Sequence, residues 1–226
     1  MAWIEFAVAM AFFMASHRIP SALGLKDQLT DRIGARGYTA VFSILSTALL
    51  LWVIWAAGRA PVITLWDQTT ASRWAVNLAM PVVIALAAFG VAAPNPFAFE
   101  GRAGGFDPEN PGVAGLTRQP LLWALALWSG AHLWANGDLA HVILFGTFAV
   151  FSILGMSVVE RRRAGLMGAT WAVQTARTGL IPLTALIQGK WRPAGRPSLP
   201  RLAIAVVAWA VVFRLHERVI GVIPTP

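Results

Sequence analysis

The 226-residue chain contains no cysteine. That excludes disulfides, zinc–thiolate sites, thiolate-ligated haem and iron–sulfur clusters. Any metal or cofactor must be held by His, Met or carboxylate. Charge is scarce as well: 12% of residues are Asp, Glu, Lys or Arg, against about 25% in soluble domains. No GxGxxG after a strand, P-loop, HExxH or GxSxG motif is present, so the common soluble nucleotide-binding, metalloprotease and hydrolase sites are excluded. What is abundant is apolar: 57% of residues are hydrophobic and the mean hydropathy is +0.64. Apolar runs recur to the end of the chain, which a cleaved signal cannot explain. The first run also lacks the basic leader and small-residue cleavage site of a secretory signal. The composition implies a polytopic membrane protein with the lipid bilayer as its partner. The net charge of +8 is read as basic residues at one membrane face, not as a nucleic-acid surface.

The apolar runs predict an all-α bundle of about six transmembrane helices, forming a single domain over 1–226. The spans are Ala2–Ile19, Thr39–Ala57, Trp74–Ala93, Pro120–Ala135, Leu139–Val159 and Leu199–Leu215. Each approaches the roughly 20 residues that cross about 30 Å of hydrocarbon, and a single segment in lipid must be helical to satisfy its backbone. Between the last two spans, residues 160–198 are basic, moderately apolar and broken by Pro182. They predict a cytoplasmic-face amphipathic or re-entrant helix, then a stiff PAGRPSLP connector. The Gly- and Pro-rich stretch 94–119 is irregular; it and that connector read either as surface loops or as covers over a site entrance. The loops after spans one, three and five hold most of the 18 Lys and Arg. By the positive-inside rule those loops are cytoplasmic. Both termini then lie outside, in the periplasm if the chain sits in a bacterial inner membrane.

Ionisable groups within spans are costly and tend to be functional; here they are Glu5, His17, His132 and His141. Ser129, His132 and Asn136 are spaced i, i+3, i+7 and share one face of an otherwise Leu-, Ala- and Trp-rich helix. The turn Asn136-Gly137-Asp138 makes spans four and five an antiparallel hairpin. His132 and His141 lie equally far from its centre, about 7 Å below it at 1.5 Å per residue. Two imidazoles at one depth suit a metal, a shared proton, a quinone or a haem. The plainer reading is two interfacial histidines bonded to Asn136, Asp138 or the backbone. His17, in SHRIPSAL, reads equally well as a histidine favoured by a helix C-terminus. Glu160, beside Arg161, Arg162 and Arg163, reads as a solvated charge cluster.

The strings SHRIPSAL, PNPFAFEG, TRQPLLWALALWSGAHLWANGDLAH and RRRAGLMGATWAVQTARTGLIPLTALIQGK, in that order over nearly the whole chain, resemble the NnrU family. The family includes bacterial proteins associated with nitrite and nitric oxide reduction, and the plant zeta-carotene isomerase, which carries haem b on histidines. The resemblance implies a haem-b site. Its first ligand histidine matches His17 and its second, in a segment similar to WSGAHLW, matches His132. A cysteine near that second ligand falls at Ser129. His141 is the alternative partner for His132. Many relatives read TRHP where this chain has Gln119. The implied roles are denitrification (nitric oxide and nitrite metabolism, serving a respiratory or denitrification complex) or cis–trans isomerisation of a hydrophobic polyene. Two other functions stay open: a non-enzymatic assembly factor for a respiratory complex, and a membrane methyltransferase-like enzyme binding S-adenosylmethionine near Arg118 and Arg177.

Overall fold

The computed structural model describes residues 1–225, with the backbone alone at 18, 21 and 22. The helices, in chain order, are α1 (Ala2–Ala22), α2 (Leu25–Arg59), α3 (Thr70–Gly90), α4 (Val113–Leu116), α5 (Pro120–Ala135), α6 (Leu139–Met167), α7 (Trp171–Thr175), α8 (Thr184–Ile187) and α9 (Leu199–Ile220). Among the described residues there is no strand, only two isolated bridges, Thr64 with Asp138 and Pro94 with Arg102. The all-α expectation therefore stands.

The span count does not stand at six. Among the described residues four helices are long and apolar enough to cross a membrane: Leu25–Arg59, Thr70–Gly90, Leu139–Thr175 and Leu199–Ile220. The first apolar stretch, Ala2–His17, is shorter, although α1 itself runs on to Ala22. Helix α5 has 16 residues, about 24 Å at 1.5 Å per residue. Pro120 and the Asn-Gly-Asp connector bound it on both sides.

The helix ends differ from the sequence reading for local reasons. Helix α1 continues through Pro20 to Ala22. Helix α2 begins at Leu25, well before the apolar run, and breaks at Gly34, whose φ of 76° lies in the left-handed region, where glycine has no Cβ penalty. Residues 160–198 contain no single amphipathic or re-entrant helix. Helix α6 runs on to Met167, a 3₁₀ turn follows at Gly168–Thr170, and only the short α7 and α8 come after it. Pro182 and glycines at 168, 179 and 189 punctuate this stretch, so no helix propagates.

The chain forms two compact units. The first is Met1–Asp67 with Asn136–Phe145; the second is Gln68–Ala135 with Gly146–Pro226. In the first unit α1 packs along α2. Gly137 carbonyl accepts from Leu65 N at 2.7 Å, and Leu139 N donates to Ile63 carbonyl at 2.9 Å. The 60–67 segment thereby pins the connector that leads into α6.

In the second unit α3 packs against α5 and α9. Its core joins Val83, Leu86 and Ala124, with Met80, Leu127 and Trp128 packed on them. Helix α3 opens with a capping box: Thr69 Oγ1 accepts from Ser72 N at 3.1 Å, and Thr69 N donates to Ser72 Oγ at 3.0 Å. That satisfies two of the first-turn donors. Arg201, at the start of α9, donates to the carbonyls of Ala88, Phe89 and Val91 at 2.7–3.0 Å. Asn77, near the start of α3, donates to Pro224 carbonyl at 2.6 Å. The two helices are therefore antiparallel and tied at both ends. Helix α9 leaves Leu202, Ile204, Val207, Val211 and Leu215 exposed. An apolar surface of that extent belongs against lipid, not water.

Candidate functional site: a buried Arg–Glu–Gln cluster

Four segments far apart in sequence converge in the second unit. The first is the turn 92–102. Ala92 N donates to Glu100 carbonyl, Arg102 N to Ala93 carbonyl, and Asn95 N to Arg102 carbonyl, each at 2.9–3.1 Å. A Cβ at Gly101 would strike the Asn95 carbonyl, so only glycine lets the turn close this tightly. Asn95 is fully buried and its Nδ2 donates to Arg118 carbonyl at 2.9 Å.

The second and third segments, 116–118 and 179–183, run antiparallel to each other. Arg118 N donates to Gly179 carbonyl at 2.7 Å and Leu183 N to Leu116 carbonyl at 3.0 Å. Thr117 Oγ1 and Trp123 Nε1 both donate to Leu180 carbonyl, at 2.8 and 2.9 Å. These bonds fasten the 178–183 stretch to the approach and first turn of α5.

The fourth segment is the polar end of α6, which brings Glu160. Arg118 Nε donates to both Glu160 oxygens at 3.0–3.1 Å, and Nη2 donates to Oε2 at 2.6 Å. Nη1 donates to Thr178 Oγ1 at 3.0 Å. The guanidinium lies 5.6 Å from the Trp171 ring centre. The two charged side chains are only 14% and 13% exposed. This is a forked, charge-assisted pair, not the solvated cluster that three neighbouring arginines suggested. Gln119 is fully buried, and its Nε2 donates to Glu160 Oε1 at 3.0 Å and to Phe97 carbonyl at 3.2 Å. Arg163 Nη2 reaches back to Ala98 carbonyl at 3.1 Å.

Glu100 completes the cluster. Its Oε1 accepts from Leu121 N at 3.0 Å, satisfying a first-turn donor of α5. Its Oε2, and Oε1 of Gln119, are buried without a partner among the described residues. Burial raises the Glu100 pKa, opposed by the Leu121 N–H. The neutral form is thus the one this environment favours. In the unfolded chain Glu100 ionises in the ordinary range, so stability contributed by the neutral group is intact at low pH. It falls as pH rises above the unfolded pKa and levels off above the folded one. Glu100→Gln keeps a neutral acceptor on Leu121 N. We expect it to change stability by less than about 1 kcal/mol at acid pH, where Glu100 is neutral in both states, and to flatten the decline that sets in above the ordinary carboxylate range. Thermal unfolding in detergent from acid pH to above that range checks it; an unchanged slope would show that Glu100 is not the titrating group.

The histidines singled out in the sequence occupy separate settings. His17 lies in the first unit. Its Nδ1 is 2.8 Å from Phe13 carbonyl and its Nε2 3.2 Å from Ser46 Oγ, between the rings of Phe13 and Phe42. His141, also in the first unit, has Nδ1 2.7 Å from Asp138 Oδ2, while Asp138 Oδ1 accepts its backbone N–H at 3.2 Å. Asp138, just before Leu139, thus caps the first turn of α6. His132 lies in the second unit with Nδ1 2.8 Å from Trp128 carbonyl and its ring 5.3 Å from that of Trp128. Ser129 is fully buried and donates to Leu125 carbonyl at 2.6 Å. Asn136 lies beyond the end of α5, so the polar helical face comprises Ser129 and His132 alone. Of the arginines considered for a nucleotide-like cofactor, Arg118 is engaged at all three nitrogens, and Arg177 forms an exposed pair with Glu109 at 2.6 Å.

Sequence reading named the strings that build the cluster but not its chemistry. The available signal was a lone acidic residue, Glu160, at the end of an apolar span, and a lone arginine, Arg118, just before another.

The fold and cluster define a helical membrane protein whose motif segments meet in one buried polar knot. The family model described as NnrU protein matches residues 5–224. The chain therefore belongs to the NnrU family. No curated protein and no solved structure matches it.

Proposed function

We propose that this NnrU-family protein binds haem b through His17 and His132. It would act in nitrite and nitric oxide metabolism or in the cis–trans isomerisation of a polyene. The observation that carries the haem reading is shared by the two histidines. Each has Nδ1 2.8 Å from the carbonyl four residues earlier, Phe13 or Trp128. An Nδ1–H donated to a backbone carbonyl leaves the lone pair on Nε2 and raises its basicity, as iron-ligating histidines require. The donor chemistry therefore fits the group. At His17 the Ser46 hydroxyl, 3.2 Å from Nε2, must rotate away. Haem b, when bound, supplies a redox-active iron whose behaviour follows its axial ligands and surroundings. Ser129, one turn from His132, keeps its hydroxyl on Leu125 carbonyl and contributes a small neutral wall to the proposed site.

We further propose that α1 and α5 also lie within the bilayer, giving six membrane helices in a bacterial inner membrane with both termini outside. Helix α5 contains no Asp, Glu, Lys or Arg and packs along α3, which supports this placement.

The decisive measurement is the absorption spectrum of protein purified after haem-supplemented expression, oxidised and reduced. A Soret band is expected, with His132→Ala losing most of it while helical circular dichroism is unchanged. No Soret band would sink the haem reading. Co-purification of a respiratory complex with no cofactor would favour the assembly-factor role instead. Calorimetric binding of S-adenosylmethionine would favour a methyltransferase.

A further inference from the structure

Two cavities in the second unit share a wall. One, of about 340 Å³, is lined only by apolar side chains: Pro81, Val82, Ala85, Leu86 and Phe89 of α3, with Val113 and Leu116 of α4. The other, of about 210 Å³, lies at the end of α3 and is lined by residues that include Asp107, Asn110 and Arg201. Phe89 and Val113 border both, so the two adjoin across these side chains.

The apolar part follows α3 from Pro81 to Phe89, about 12 Å at 1.5 Å per residue. One leaflet of hydrocarbon is about 15 Å thick. The groove therefore lies along a membrane-crossing helix, at the scale of one acyl chain. Its polar end sits where that helix stops, where the headgroup of a lipid packed along the helix would lie.

The polar end carries one fixed cation and one fixed anion. Arg201 is anchored by Nη1 to three carbonyls at the end of α3. Its Nε and Nη2 form no hydrogen bond among the described residues. The Asp107 carboxylate is anchored by the side chain of Asn110 and the N–H of Glu109, both at 2.9 Å. These bonds, the Asn110 one first, hold it below the ordinary carboxylate range, so it stays charged. A cation alone would suit an anionic headgroup. A cation and an anion at one cavity suit a zwitterion, whose phosphate takes the guanidinium donors and whose ammonium takes the carboxylate. A quaternary ammonium has no N–H to donate and fits less well.

We propose that the two cavities form one lipid site, occupied by a glycerophospholipid with a zwitterionic, primary-amine headgroup. One acyl chain lies along Pro81–Phe89 and the headgroup spans Arg201 and Asp107.

The test uses the purified full chain in detergent. It is titrated separately with phosphatidylethanolamine, phosphatidylcholine and phosphatidylglycerol of matched acyl chains, and lipid retention is read by native mass spectrometry. One phosphatidylethanolamine per chain is expected to be retained about tenfold more tightly than either other lipid. Asp107→Asn should abolish that preference while leaving general retention intact. Ala85→Trp, which fills the apolar groove, should reduce retention of all three lipids, with circular dichroism reporting that the helices persist. Equal retention of the three headgroups, preference for phosphatidylglycerol, or undiminished retention by Ala85→Trp would each overturn the proposal.

Discussion

Replacing Glu160 with Ala is expected to destabilise the protein by about 3–5 kcal/mol, the cost of leaving a buried charge without its partner. The Arg118 guanidinium is only 14% exposed and cannot swing into water without abandoning Thr178 and the Glu160 site together. Gln119, fully buried, loses one of its two acceptors in the same step. Glu160→Gln retains an acceptor oxygen of similar shape and removes only the charge, so a smaller loss is expected. The double variant Arg118→Met with Glu160→Met should lose less than the sum of its single changes, because neither charge is then stranded. Thermal unfolding in detergent micelles, read by circular dichroism for all the variants, checks the ordering. A loss below about 1 kcal/mol for Glu160→Ala would place the pair in the weak, solvent-screened class of surface ion pairs.

This pair also marks where the sequence stops being readable. The bounds of α5 were legible because local chemistry sets them. Pro120 occupies a first-turn position, where its missing N–H costs nothing, and the Asn-Gly-Asp run stops the helix. The start of α9 at Leu199 was legible for the same kind of reason. The start of α2 was not, because residues 25–38 are polar and basic yet still helical, and hydropathy does not report helix in a soluble-looking stretch. The rupture at Gly34 is a single left-handed residue, and many glycines in the chain have ordinary φ. The 160–198 region looked like one amphipathic helix by composition. Its bonds go instead to Leu116, Thr117, Arg118 and Trp123, some 60 residues away.

Glu160 shows the same limit in electrostatic form. Three adjacent arginines made solvation the natural reading, yet none of them is its partner. The partner is Arg118, and only the convergence of the α5 approach with the end of α6 brings them together. Conversely, the capping role of Asp138 on His141 was legible, because it depends on a three-residue spacing. Interactions confined to one helical turn could be read; those built by folding across tens of residues could not.

Gly137 carries the second large effect. It is the central residue of the connector between α5 and α6, and it is buried. Its φ is not in the left-handed region, so the requirement for glycine here is space and not backbone freedom. A Cβ at this position would strike the Trp66 carbonyl and press against the Trp66 ring. The carbonyl cannot yield, because the same strand of backbone donates Leu65 N and Trp66 N to Gly137 carbonyl at 2.7 and 3.3 Å. One methyl group must therefore break that pairing or displace the connector from the 63–66 segment. Gly137→Ala is expected to cost about 3 kcal/mol, the upper end of the range for overpacking a rigid site. Asp138 lies next to it and caps α6 through His141 N, so displacement would also release that cap, worth about 1 kcal/mol. Gly146→Ala, on α6 with nothing within 4 Å of its added Cβ, is the matched control and should be neutral or slightly stabilising, because alanine is the better helix former. Equal unfolding temperatures for the two variants in detergent would mean that the connector yields freely, and that its close pairing with the 63–66 segment does not constrain the fold.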